Sequence, residues 1–141
     1  MTSEASTVEE GVLPLTGGCF CGEVRYQFQG KPAGFLCFCR DCQYFASGMG
    51  QATIFARDGA LEVDLALLKA VSATAASGAS VTRYFCPECC TQLFVKTSTY
   101  PSHTAIIAGS LDDNAAFLPR ALNWQEAMPR WQAECVTAPA S

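Results

Sequence analysis

Cys37-Phe38-Cys39-Arg40-Asp41-Cys42 places three thiols within six residues, a C-x-C overlapping a C-x-x-C. Three thiolates on one short loop can all reach a single metal ion. Zinc takes four ligands in a tetrahedron, so a site with three protein ligands keeps one position for water or substrate. Two further groups flank this loop: Cys19-Phe20-Cys21 before it and Cys86-Pro87-Glu88-Cys89 after it. Together those two pairs supply the four thiolates of a second, closed site. Joining them ties the start of the chain to its middle, and a metal that closes so long a loop restricts the unfolded chain, which marks the site as structural. The fold is therefore expected to form around two zinc ions, one enclosed by four thiolates and one open.

The remaining donors fit neither role well. Cys90 follows Cys89 directly, points away from it and reads as a small buried hydrophobe. Cys135 stands alone near the C-terminus. His103 is the only histidine, and beside Pro101-Ser102 it reads as a surface loop residue. The fourth position at Cys37, Cys39 and Cys42 thus stays open between an exchangeable ligand and an unidentified protein group. Zinc with three thiolates has a net charge of about −1 and ionises water poorly, so a soft thiol suits it better than hydroxide. Zinc follows from ligand type; iron also fits an all-sulfur site.

With 141 residues, half of them hydrophobic, the chain fits one domain with a real core. The formal net charge is −4 and the pI about 4.8. Seven thiolates against two divalent cations add three negative charges and take the holo protein to about −7. Such a surface does not suit a phosphate backbone, so nucleic acid is not an expected partner. No apolar run is long enough to span a bilayer, and Met1 to Gly11 has no apolar core of a signal peptide. A cytoplasmic, reducing compartment is expected, where clustered cysteines bind metal rather than form disulfides. The odd count of nine cysteines points the same way.

Along the chain, residues 1–11 read as a flexible tail, 12–135 as one zinc-binding domain and 136–141 as a second tail. Gly17-Gly18 is expected to form a tight turn presenting Cys19 and Cys21. Val24, Tyr26 and Phe28 alternate with Glu23, Arg25 and Gln27 at the period of a half-buried strand. Phe35–Phe38, Gln51–Phe55, Val81–Phe85, Gln92–Val95 and Thr104–Ala108 read as further strands. Asp41–Phe45 reads as one helical turn whose free N–H groups face sulfur. Leu61–Ala70 leans towards strand with irregular connection, Ala73–Ser80 reads as a mobile loop, and Trp124–Trp131 as irregular. The picture is mostly β.

Four segments carry a more specific likeness. Gly18-Cys19-Phe20-Cys21-Gly22-Glu23-Val24-Arg25-Tyr26, Cys37-Phe38-Cys39-Arg40-Asp41-Cys42-Gln43 with Ser47-Gly48, Arg83-Tyr84-Phe85-Cys86-Pro87-Glu88-Cys89 and Gly109-Ser110-Leu111-Asp112-Asp113 resemble the glutathione-dependent formaldehyde-activating enzyme family, which also includes centromere protein V. The likeness runs from about Gly17 to Trp131. It implies a β-tent of antiparallel strands with short helical turns, a structural zinc at Cys19, Cys21, Cys86 and Cys89, and a catalytic zinc at Cys37, Cys39 and Cys42. It also implies carbon–sulfur lyase or synthase chemistry on a thiol such as glutathione and its aldehyde adduct. Arg40, Arg83 and Arg130 are candidate cations for an anionic thiol. A non-catalytic zinc-folded binding module is the alternative, and the sequence leaves room for a homodimer.

The chain departs from the family pattern in places. Phe20 and Phe38 stand where relatives commonly carry His and are expected to dry the surroundings of the metals. Cys90 stands where Gly is common. Of a frequent His-Ile-Trp sequence only Trp124 is kept, after Phe117-Leu118-Pro119.

Overall fold

A computed structural model describes residues 14–137. In chain order the strands are β1 (Leu15–Gly18), β2 (Arg25–Phe28), β3 (Ala33–Cys37), β4 (Gln51–Arg57), β5 (Leu61–Glu62), β6 (Lys69–Thr74), β7 (Ser80–Phe85), β8 (Gln92–Thr97), β9 (His103–Ile107) and β10 (Leu118–Asn123). Two α-helices, α1 (Arg40–Phe45) and α2 (Arg130–Thr137), and five short 3-10 turns complete the described residues. The chain is mostly β, as its alternating segments predict. The expected N-terminal tail, residues 1–11, lies outside the described residues. The helix α2 runs through Val136 and Thr137, so the expected C-terminal tail begins within it.

The strands form two sheets. Strands β1, β2 and β5 make an antiparallel three-stranded sheet, and the other seven run in the order β10-β3-β4-β9-β8-β7-β6. Every pairing in the larger sheet is antiparallel except that of β10 with β3. There the chain returns to the open edge of β3 after the whole sheet has been laid down and runs alongside it. Pro119 sits where the β10 register shifts, on an edge strand, the place where a residue without an N–H costs the ladder least.

The core lies between the sheets. Tyr26 and Phe28 point inward from β2 while Arg25 and Gln27 face solvent, which is the alternation read from sequence. They meet Ile54 of β4, Leu93 and Phe94 of β8 and Ile106 of β9, all buried. Tyr26 and Phe94 pack edge to face, with ring centroids 5.1 Å apart. The Tyr26 hydroxyl lies 2.7 Å from Ser110 Oγ, which satisfies a buried polar group. Gly17 is opposite Tyr26 in the β1–β2 register, and a Cβ there would lie 2.2 Å from the Tyr26 hydroxyl oxygen. Only glycine lets β1 pass so close. Gly17-Gly18 is accordingly the end of β1 and not the tight turn expected; the turn follows, at Phe20–Glu23.

Three other expectations change. Ala73–Ser80 is not one loop: β6 runs to Thr74, β7 begins at Ser80, and a short turn closed by Ala75 N–H to Ala79 O at 2.8 Å joins them. Trp124–Trp131 includes a 3-10 turn over Gln125–Ala127 and the start of α2. His103 opens β9 and stacks on Phe55, with ring centroids 4.5 Å apart, so it is held in the sheet by packing that the flanking Pro and Ser concealed. Phe94 is fully enclosed, and Phe94→Ala is expected to cost about 3–5 kcal/mol in urea unfolding of the metal-loaded protein.

Candidate metal centres

Each of the nine cysteines carries a free thiol, as expected of metal ligands rather than a disulfide framework. Two groups gather. The sulfurs of Cys19, Cys21, Cys86 and Cys89 all lie within 4.8 Å of one another, and so do those of Cys37, Cys39 and Cys42. These are the two sets read from the sequence. His103, Cys90 and Cys135 belong to neither.

The four-thiol cluster forms where two turns meet. Cys19 and Cys21 lie just after β1, and Cys86 and Cys89 occupy the turn between β7 and β8. That turn is closed by Cys86 N–H to Thr91 O and Cys90 N–H to Cys86 O, both at 2.9 Å. Backbone N–H groups aim at sulfur: Val24 donates to Cys19 at 3.2 Å, and Glu88 and Cys89 donate to Cys86 at 3.4 and 3.5 Å. Such donors favour thiolates. Thr91 adds a side-chain donor, its hydroxyl 3.1 Å from Cys89 Sγ, and chiefly through this contact the Cys89 thiol is drawn down to about 5. A tetrahedral zinc with bonds of about 2.3 Å sets its sulfurs about 3.8 Å apart. Cys19–Cys21 and Cys21–Cys86 stand at 3.6 and 3.8 Å. The donor set fits zinc.

The three-thiol cluster sits at the other end of β3. Cys37 is the last residue of that strand, Cys39 caps α1, and Cys42 lies in the helix's first turn. Cys42 N–H donates to Cys39 Sγ at 3.4 Å, the helix N–H to sulfur contact that the sequence predicts. Gln43 fixes the loop: its buried amide donates to Phe38 O at 2.7 Å and to Ala127 O at 3.1 Å. Within the cluster, the hydrogen bond from the Cys42 thiol draws Cys37 down to about 6, with the Cys39 N–H and the Arg83 guanidinium helping. Cys42 in turn is held far up, first by that same bond and then by burial. Three thiols this close cannot all ionise cheaply without a cation among them. A divalent metal would supply that cation.

Two clefts open on this cluster. One, of about 330 Å³, is walled by Cys39, Arg40 and Asp41 on one side and by the β6–β7 turn on the other. The second, of about 380 Å³, is lined by Cys37, Leu122, Asn123 and Glu126. Trp124 borders both. Its backbone is left-handed, with φ of 55°, a conformation that a bulky residue adopts only when its surroundings impose it.

The three arginines separate. Arg83 is buried, with Nη2 3.9 Å from Cys42 Sγ. Arg40 borders the first cleft and donates to Gln43 Oε1 at 2.9 Å. Arg130 is exposed on α2 and pairs with Glu134, one helical turn on, at 3.6 Å. The expected dryness holds for buried Phe38 but not for Phe20, which is 93% exposed because its turn faces outward. Cys90 is corrected too: it is exposed, with φ of 66°, because the turn that wraps Cys86 needs a left-handed residue there. Thr91 and Gln43 were missed as supporting residues. Their adjacency to the cysteine motifs was the available signal: Thr91 contacts a sulfur directly, and Gln43 ties down the backbone of the loop that carries three of them.

The family model for glutathione-dependent formaldehyde-activating enzyme matches residues 14–127. Among curated proteins none matches the chain. A crystal structure of a Rhodobacter sphaeroides protein, 18% identical, aligns with a TM-score of 0.56 over 74% of this chain and 97% of that one. At that identity the likeness concerns the fold alone.

Two measurements test the centres. Purified without chelator, the protein is expected to carry about two zinc ions per chain. Cys39→Ser should carry about one and keep its fold, whereas Cys86→Ser should lose cooperative folding, as read by elemental analysis and circular dichroism. Cys90→Gly is expected to gain about 0.5–1 kcal/mol in denaturant unfolding, because glycine removes the left-handed penalty and gives part of it back as chain entropy.

Proposed function

Because the chain belongs to the glutathione-dependent formaldehyde-activating enzyme family, we propose that it is a zinc-dependent carbon–sulfur lyase acting on a thiol and its aldehyde adduct at Cys37, Cys39 and Cys42. The observation that carries this reading is the pair of clefts, one lined by Cys39 and the other by Cys37, that share Trp124 as a wall. One cleft has room for a thiol and the other for a carbonyl compound. The four-thiol cluster already has a full tetrahedral ligand set of its own. Its role is to hold the fold.

In the forward direction the thiol sulfur bonds to the carbonyl carbon, the carbonyl π bond breaks, and the thiol proton goes to the carbonyl oxygen. The reverse reaction returns both. Cys37, Cys39 and Cys42 would hold a zinc ion, whose Lewis acidity would favour the ionised form of a substrate thiol. Arg83 places positive charge behind those sulfurs. Arg40, at the mouth of the first cleft, can meet a carboxylate of an anionic thiol such as glutathione. Trp124 gives each substrate an apolar wall and separates the two before they react. Gln43 pins the loop to the 3-10 turn beyond Trp124 and so keeps the clefts in place.

A non-catalytic binding module is the second reading. Its support is the edge strand β10, on which Leu118 and Leu122 stand exposed, followed by exposed Trp124.

Two-dimensional NMR exchange between free formaldehyde and its glutathione adduct separates the two readings. The zinc-loaded protein is expected to raise the exchange rate at least about tenfold over buffer at micromolar enzyme, a level typical of a modest catalyst. Cys39→Ser, which retains the four-thiol centre, should return the rate to that of buffer. A parent protein that leaves the rate unchanged favours the binding module.

A further inference from the structure

Arg83 poses an electrostatic problem. It lies on β7 and is 6% exposed. Among the described residues no carboxylate pairs with it, and its Nε is buried without a hydrogen-bond partner. A buried cation without an anion is strongly disfavoured. The groups that it does meet are the Phe45 ring, 4.5 Å below the guanidinium carbon, and Cys42 Sγ, 3.9 Å from Nη2. The ring contributes a modest cation–π attraction that does not replace a counter-ion. The counter-ion is the thiol cluster itself.

We propose that Arg83 is a positioning residue that balances the charge of the Cys37, Cys39 and Cys42 centre and biases its open position towards anionic ligands. The inference rests on the reading that this trio holds a divalent metal with one exchangeable position. Three thiolates around a divalent ion leave one net negative charge, which by itself repels an incoming anion. One guanidinium cancels it. With the centre neutral, a thiolate, thiocyanate or similar soft anion enters without that repulsion, while a neutral donor gains nothing from the arginine. Arg83 lies behind the sulfurs rather than among the residues lining either cleft, so it acts through the field at the ligands and not by touching substrate. Phe45 and its neighbour Phe85, with ring centroids 5.8 Å apart, hold the guanidinium in that place.

The test uses the full chain with cobalt(II) in both centres, whose visible bands report the ligands of the metal. Thiocyanate and imidazole are titrated separately into the parent, Arg83→Met, Arg83→Lys and Phe45→Leu, and the four-thiol centre serves as an internal control of folding. Arg83→Met is expected to weaken thiocyanate by about tenfold or more while imidazole changes less than about twofold, the size expected from one charge a few ångströms away at a partly screened site. Arg83→Lys keeps most of the thiocyanate affinity. Phe45→Leu, which frees the guanidinium without removing it, produces a smaller loss in the same direction and carries the test if Arg83→Met does not fold. Equal weakening of both ligands, or no change in either, overturns the role of Arg83 and leaves the open position standing. A parent whose bands respond to neither ligand overturns the open-position reading, and this inference with it.

Discussion

Four thiols crowded from two distant turns are the constraint on which the rest of the molecule depends. Cys21 and Cys86 are 65 residues apart in sequence, and their sulfurs lie 3.8 Å apart in space. Bringing them together fixes the small sheet against the large one, because Cys19 and Cys21 leave β1 while Cys86 and Cys89 join β7 to β8. The enclosed core depends on the same docking: Tyr26 meets Phe94 only when the two sheets face each other. A cluster of unpaired thiolates would drive those turns apart, so the geometry makes sense as a receptacle for a cation. Binding energy for that cation is at once folding energy for the domain.

The second centre is built on a different plan. All its sulfurs come from one stretch of six residues, from the end of β3 to the first turn of α1, and it closes no long loop. Removing it should therefore cost little in fold. What it has instead is access: two clefts, a wall formed by Trp124 and a buried guanidinium behind the ligands. The first centre ties residues 65 positions apart, whereas the second is assembled within one short loop.

Much of this was legible in the sequence, for a physical reason. Metal-ligand spacing is local, so C-x-C and C-x-x-C announce their sites without knowledge of the fold, and the alternation in Val24–Phe28 announces an inward face in the same way. What escaped were features created by distant contacts. Strand β10 carries Pro119, which argues against a strand until its place at an edge beside β3 is known. The left-handed backbone at Trp124 has no signature in its own sequence, and at Cys90 the only hint is that glycine is common there in the family pattern. Arg40, Arg83 and Arg130 look alike as letters; only burial tells a guanidinium set beside Cys42 from a solvated side chain on α2. Among the described residues no helix is long and apolar enough to cross a membrane, in line with the absence of long apolar runs.

The two sides of the cleft system differ in how they can change over time. Trp124 is placed by β10, whose Asn123 is in register with Cys37, and inserting or deleting one residue within 118–123 would turn the following side chain to the opposite face. The facing wall, Ala75 to Ser77, is the tip of a hairpin, where extra residues cost little. Diversification among such proteins can therefore proceed by lengthening and shortening one hairpin tip, remodelling the shape of what is admitted while the metal loop and the tryptophan stay fixed. The architecture separates a locally fixed thiol loop from an adjustable doorway.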